Sequence, residues 1–329
     1  MWVLVVAAAL TAMEPAEEFQ WALAVLDRQQ TALGEYEIRF ELEETHSFAG
    51  KAATPVHYHV AYRQCEAGHR RRLERIDPAN PQESQAGFVD VFDGKSFRRH
   101  DRIGARGAIQ SQRDFTPNYR LAYMSDKSLA KILRSEPESR SVKHVVDEGR
   151  DFLVVSWPIK GIQGEKHYWL NPKCNYEIDR VLFEARHHPG DYPDRRKITR
   201  YEIRVEDYWN EGDIFLPSKV RIRNNSIGGT DGDYEMSSTV LRVTSVTPNA
   251  KFGDEEFKIT FPKGCLVTDV DRQVFYTVGD SKGEQPFRSI GNLSSTPMSH
   301  RSPVNWFLII GALGIAAGLV IRYRRSRLG

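Results

Sequence analysis

The sequence predicts an α+β protein: a strongly curved antiparallel sheet, a half-open barrel, wrapping one N-terminal helix. Three observations carry that expectation. One apolar stripe recurs at three- and four-residue intervals near the N-terminus, at Phe19, Ala22, Leu23, Val25, Leu26 and Leu33, which is the spacing of a single buried helix face. After it, segment upon segment alternates apolar with charged residues, the pattern of strands with one dry and one wet face. No strand–helix–strand repeat appears, so a doubly wound parallel sheet is excluded.

The helix should run from Pro15, which suits a first turn, to Gly34, which stops it. Tyr36, Ile38, Phe40 and Leu42 then alternate with Glu37, Arg39, Glu41 and Glu43, and Val56, Tyr58, Val60 and Tyr62 alternate with His57, His59, Ala61 and Arg63. A turn at Glu66-Ala67-Gly68 leads into the strand 70–77. Phe88 to Phe92 and Ser96 to Arg99 flank Asp93-Gly94, a hairpin signal because both turn residues tolerate positive φ. A short helix is expected over Asp126 to Arg134 with Ser125 as its cap. Strands are predicted at 142–147, 151–157, 166–171, 177–185, 199–207, 215–223, 234–246, 256–261 and 273–278, with NNSIGGTDGD, 224–233, as a loop. The hexapeptide YEIRFE at 36–41 nearly recurs as YEIRVE at 201–206, which marks either related strand environments or the chance recurrence of an amphipathic strand pattern.

The two ends give the expected address. Residues 2–12, WVLVVAAALTA, read as a signal peptide (1–13) cut after Ala12 or Ala9, although no Lys or Arg precedes Glu14. Residues 304–321, VNWFLIIGALGIAAGLVI, are apolar throughout and are followed by Arg322, Arg324, Arg325 and Arg327. About 20 residues at roughly 1.5 Å each span a bilayer core, and the arginines place the tail, 322–329, in the cytoplasm. The large domain then faces the periplasm or exterior from a single-pass anchor in the cytoplasmic membrane. Between domain and anchor, 281–303 is rich in Ser, Pro and Gly and reads as a tether. Gly314 and Gly318 have the spacing that permits helix pairing.

With 46 basic and 44 acidic residues the chain has no global field that would select nucleic acid. Three cysteines, Cys65, Cys174 and Cys265, allow one bridge and leave one thiol over. They have no metal spacing, and no cofactor motif, GxSxG, HExxH or phosphate loop is present, so a non-enzymatic protein is expected. His57 and His59 stand on one strand face about 7 Å apart, half of a metal site at best. Arg70, Arg71, Arg72 and Arg75 together with Arg98, Arg99 and Arg102 could form a basic patch for lipid headgroups, an anionic polysaccharide or a protein. Acids interleave with them, so an ion-paired wet face is the alternative.

Several segments resemble the LolA/LolB-like and RseB-like periplasmic half-barrel proteins. These are the leading helix followed at once by YEIRFELEE, the VFDGKSFRR hairpin at 91–99, HYWLNP at 167–172 with Asn171 where Asp is usual, and DIFLPSKVRI at 213–222. The resemblance covers about residues 15 to 223 and assigns 14–233 to a LolA-like curved-sheet domain, with 234–280 as a β-rich extension of it. The C-terminal anchor departs from both carriers and is similar to anchored envelope proteins of planctomycetes. The resemblance implies an apolar groove that binds an acyl lipid or lipoprotein, or else a sheet that contacts an envelope protein as a sensor or structural module. Phe40, Tyr58, Val60, Phe88 and Phe92 are the candidate groove residues, with Trp157 and Trp169 as large side chains farther along. Arg70, Arg72, Arg98 and Arg99 are the candidate surface patch.

Overall fold

The computed structural model describes residues 13–46, 56–76, 87–102, 104–111, 122–123, 127–135, 140–159, 163–186, 198–229, 232–279 and 285–286. The predicted signal peptide up to residue 12, the tether apart from Gln285 and Pro286, the 304–321 segment, the basic tail and Ser125 lie outside them. Among the described residues no helix is long and apolar enough to cross a membrane. The described residues all fall within one compact unit that ends at Pro286.

The first helix, α1, runs Pro15–Leu33. Its last carbonyls are closed by a residue far along the chain: Asn249 donates its backbone N–H to the Leu33 carbonyl at 3.0 Å and its side-chain amide to the Ala32 carbonyl at 3.2 Å. Gly34 follows at φ 62°, where a Cβ would stand 2.6 Å from Asn249 Oδ1, so glycine both ends the helix and admits its cap.

Six strands come next: β1 (Tyr36–His46), β2 (Val56–Ala67), β3 (Arg70–Ile76), β4 (Phe88–Phe92), β5 (Phe97–Asp101) and β6 (Arg106–Gln110). The chain then passes through the short helix α2 (Leu129–Ser135) to β7 (Ser141–Asp147), and β8 (Arg150–Pro158), β9 (Gln163–Asn171), β10 (Glu177–Arg186), β11 (Ile198–Glu211), β12 (Ile214–Gly229) and β13 (Gly232–Thr247) follow. Last are β14 (Leu266–Asp269), β15 (Val274–Thr277) and β16 (Gln285–Pro286). All belong to one sheet, ordered β16-β15-β14-β6-β5-β4-β3-β2-β1-β13-β12-β11-β10-β9-β8-β7, strongly curved and not closed. Two meanders, β1–β6 and β7–β13, are thus fused where β1 pairs with β13. Among the described residues the one parallel ladder joins β14 to β6.

Alternation assigns the faces. Tyr36, Ile38, Phe40 and Leu42 are buried while Glu37, Arg39 and Glu41 between them are half-exposed. The buried set meets Tyr62 of β2, Leu241 of β13, Val220 and Ile222 of β12, Leu153 and Val155 of β8, and the apolar stripe of α1 in one continuous core. We call the α1 side the inner face. A second, smaller core lies on the outer face, where Cys65, Ala67, Val89 and Val91 are covered by Phe257 and Ile259.

Several expectations need correction. Asp93-Gly94 is not a two-residue turn: Phe92 pairs with Phe97 and a four-residue loop intervenes, in which Asp93 Oδ1 accepts from the N–H groups of Lys95 and Ser96 at 2.8 and 2.7 Å. Only Gly94 takes positive φ there. The loop expected at 224–233 is mostly strand, since β12 continues to Gly229 and β13 begins at Gly232. The strand expected at 256–261 is a 3-10 turn over Asp254–Phe257 followed by extended chain outside any ladder. All three cysteines are free thiols.

Candidate binding surfaces

Strand register brings most of the proposed groove residues together. Phe40 stands opposite Tyr62, Leu42 opposite Val60 and Glu44 opposite Tyr58. The Phe40 and Tyr62 rings stack at 5.3 Å, and Phe88 lies 6.2 Å from Tyr62. Phe92 shares the face of Phe88, four residues away on β4, so Phe40, Tyr58, Val60, Phe88 and Phe92 all belong to the inner side. Trp157 also faces inward but from β8, at the far end of the sheet, where it stacks on Tyr168 at 5.1 Å. Trp169 does not join them. It pairs with Val154, whose parity is opposite to that of Trp157, and its ring meets Arg180 at 5.3 Å on the outer face.

Two of these side chains build the core, and Val60, Phe88 and Phe92 are half-buried beside it. Phe40 is 1% and Trp157 3% exposed, whereas Tyr58, beyond the reach of α1, is 53% exposed. The apolar opening between α1, α2 and β12, walled by Leu26, Leu33, Leu129, Ile214 and Leu216, holds about 30 Å³. That is one water's share of volume, against the several hundred Å³ of a ligand pocket. α2 covers it and is held to α1 by the exposed ion pair of Arg134 with Asp27.

Two buried polar residues of α1 had no signal in the sequence beyond interrupting the stripe. Gln29 bridges α1 to the sheet, donating to the Asn175 carbonyl at 2.9 Å and accepting from the Phe215 N–H at 2.7 Å. Glu18 accepts from the Tyr176 hydroxyl at 2.8 Å, and its other oxygen lies 3.2 Å from Nε2 of His144 on β7. Burial and then this carboxylate push ionisation of the Tyr176 phenol far up, so Tyr176 remains a donor.

The outer face resolves the arginine patch. Arg98 and Arg99 are neighbours on β5 and therefore point to opposite sides. Arg99 turns inward and binds Asp90 through two bonds of 2.7 and 2.9 Å. Arg70, Arg72 and Arg98 share the outer side and grip the segment that crosses it. Arg70 binds Asp254 at 2.9 Å and lies 4.6 Å over Phe257, while Arg72 and Arg98 donate to the carbonyls of Glu256 and Ile259 at 3.3 and 3.4 Å. Beneath them the buried Glu74 accepts from Arg72 and Arg102, each at 3.0 Å, with Arg63 at 3.8 Å. Gly107 of β6 completes the seat, because a Cβ there would stand 2.5 Å from the Phe261 ring.

Among the described residues no group of three or more His, Cys, Asp or Glu side chains is placed to hold a metal ion. The His59 ring instead meets Glu41 at 3.1 Å. Burial pushes the Cys65 thiol up to about 12 and that of Cys174 to about 11, which leaves both protonated and poor nucleophiles.

Among the described residues, one sheet edge carries no further strand. β7 ends the strand order, and its Val146 is 70% exposed. Ser141, Lys143 and His144 are exposed beside it, with Val142 and Val145 half-exposed.

No protein-family model and no curated protein matches the chain. Among solved structures it is similar to a LolA superfamily protein from Nitrosomonas europaea, 12% identical over 72% of this chain and 97% of that one, with a TM-score of 0.42. A putative outer membrane lipoprotein-sorting protein domain from Vibrio parahaemolyticus is 12% identical over 72% and 95% of the two chains, at a TM-score of 0.43. The MucA/MucB complex of Pseudomonas aeruginosa matches at 13% identity over 70% and 99%, with a TM-score of 0.22.

Proposed function

We propose that this chain is a non-enzymatic binding module of the cell envelope, held at the outer side of a membrane by its 304–321 segment, and that it takes a protein partner along the open edge of β7. The observation that carries this reading is the contrast between the small opening under α2 and an edge strand with no neighbour on its outer side among the described residues. An edge strand presents a row of backbone donors and acceptors to any extended segment. A fitting segment sets apolar side chains against Val142 and Val146 and an acid against Lys143. The apolar run and four arginines at the C-terminus support the membrane address.

The test is a photo-crosslinking amino acid at position 143 in cells, with position 223 on central β12 as reference. A discrete protein adduct from 143, at least tenfold weaker when Val146→Lys places a charge on the edge, is the expected result. Equal adducts from both positions, or none from 143, would contradict it.

A second reading rests on the opening beneath α2. Lifting that short helix would uncover Leu26, Leu33, Ile214 and Leu216 and admit a hydrophobic ligand, lipid or lipoprotein acyl chain. The exposed Asp27–Arg134 contact that holds α2 is worth no more than about 1 kcal/mol, which makes α2 the element to move first.

A further inference from the structure

The outer face carries a second feature that the partner-binding reading does not use. Between β3–β5 and the crossing segment 258–260 lies a cleft of about 180 Å³, walled by Arg72, Val89, His100, Arg102, Lys258, Ile259 and Thr260. At about 30 Å³ per water, that is room for roughly six waters or one compact polar group. Every ionisable side chain on its wall is basic.

The sheet sets these groups in place. Glu74, Val89 and His100 stand side by side across β3, β4 and β5. Glu74 anchors Arg72 and Arg102 from below at 3.0 Å each, which orders both guanidinium groups before anything binds. The Phe261 ring meets the His100 imidazole edge-on at 5.9 Å and fixes its plane. Lys258 enters from the crossing segment, where its ammonium contacts the exposed Glu255 at 2.7 Å and can turn to the cleft. Burial, followed by the charge of Arg102, holds the basicity of His100 below the usual histidine range, as a cationic surrounding requires. The neighbouring charges that act on that imidazole are Arg102 and Asp101, and Arg72 and Lys258 share the cleft wall with it.

We propose that this cleft binds a phosphate-type oxyanion, free or as the ester end of a larger molecule, with Arg72, Arg102 and Lys258 supplying charge and His100 and Thr260 completing the hydrogen bonds. Two preordered guanidinium forks and an ammonium from a separate segment suit a group with acceptor oxygens on several sides better than a planar carboxylate. Bound there, the anion bridges the sheet to the crossing segment. The cleft lies on the outer face and involves no residue of β7, so it stands or falls independently of the partner reading.

The experiment is calorimetric titration of the full chain in mild non-ionic detergent with inorganic phosphate, against acetate at equal ionic strength. Saturable binding of one phosphate per chain is expected, weakened at least tenfold by Lys258→Glu. Lys143→Glu, the same charge change on β7, should leave it intact. Thr260→Val, which removes a hydroxyl without altering charge, should weaken it several-fold. The His100 ring resonance should titrate at higher pH with phosphate present. Micelles doped with phosphatidic acid that displace phosphate would assign the site to a lipid headgroup, and failure to displace would assign it to a soluble phosphate. Absence of saturable phosphate binding, or equal effects of the two lysine reversals, would overturn the proposal.

Discussion

The two faces of β2–β4 are both buried, yet they are held by different physics. The inner face carries the larger apolar core, where Tyr62 and Leu73 join Phe40 of β1 and α1, together with two separate ion pairs, Arg71 with Glu66 and Arg99 with Asp90. The outer face mixes a small apolar cluster, Val89 and Val91 beneath Phe257 and Ile259, with an ion-pair layer of Arg63, Arg70, Arg72 and Arg102 on Glu74, Glu256 and Asp254. Burial of apolar area stabilises without regard to direction, whereas a buried charge is tolerated only while every partner stays in place. The apolar core of the inner face should therefore lose stability in proportion to volume removed, and the ion-pair layer of the outer face through single partners.

The largest expected effect is on the inner side. Phe40→Ala should cost about 3–5 kcal/mol, a large part of a domain's usual margin, and lower the urea midpoint of the whole unit. Glu74→Ala should cost about 3 kcal/mol by leaving its arginines uncompensated. Its signature differs: hydrogen exchange and proteolysis in residues 250–279 should rise well ahead of exchange in α1. If the two variants gave identical exchange maps, the faces would not be energetically separate.

Tyr176→Phe removes the donor to buried Glu18 and should cost about 1–3 kcal/mol by thermal unfolding. The smallest effect is expected at Glu206, whose carboxyl is held down to about 2 by hydrogen bonds from Arg221 and Lys219. A depressed folded-state value means that this stabilisation is complete above the ordinary carboxylate range near 4.5 and is lost as pH falls towards 2. Because the pair is exposed, Glu206→Gln should cost less than about 0.5 kcal/mol at neutral pH, and should flatten the acid limb of the stability curve between those values.

Where local pattern and tertiary role agreed, the sequence was legible. α1 begins and ends where its periodicity and Gly34 place it, and the alternation of β1 and β2 names the inner face correctly. Asn224, Asn225 and Ser226 have weak strand propensity and read as loop, but ladders to β11 and β13 on both sides pull them into the sheet. Phe257, Ile259 and Phe261 alternate like a strand although they cross the sheet's outer face unpaired. β6 and β14 were missed because each is short and their parallel pairing joins residues about 160 apart, Arg106 with Leu266. In the candidate site, the split between Arg98 and Arg99 was already implied by strand alternation. The split between Trp157 and Trp169 was not, since it depends on the register between β8 and β9. No local signal could have paired Glu18 with Tyr176 across 158 residues.

The central claim is that the inner face is filled by the protein's own helices and that binding occurs elsewhere. Residues 14–286, produced in an oxidising compartment and purified without detergent, should be extracted with organic solvent and the extract weighed by mass spectrometry against protein. The account predicts a folded protein carrying less than about a tenth of an equivalent of any acyl species. One equivalent of a defined acyl lipid, lost on Ile214→Trp or Leu26→Trp beneath α2, would contradict it and make the hydrophobic-ligand reading the correct one.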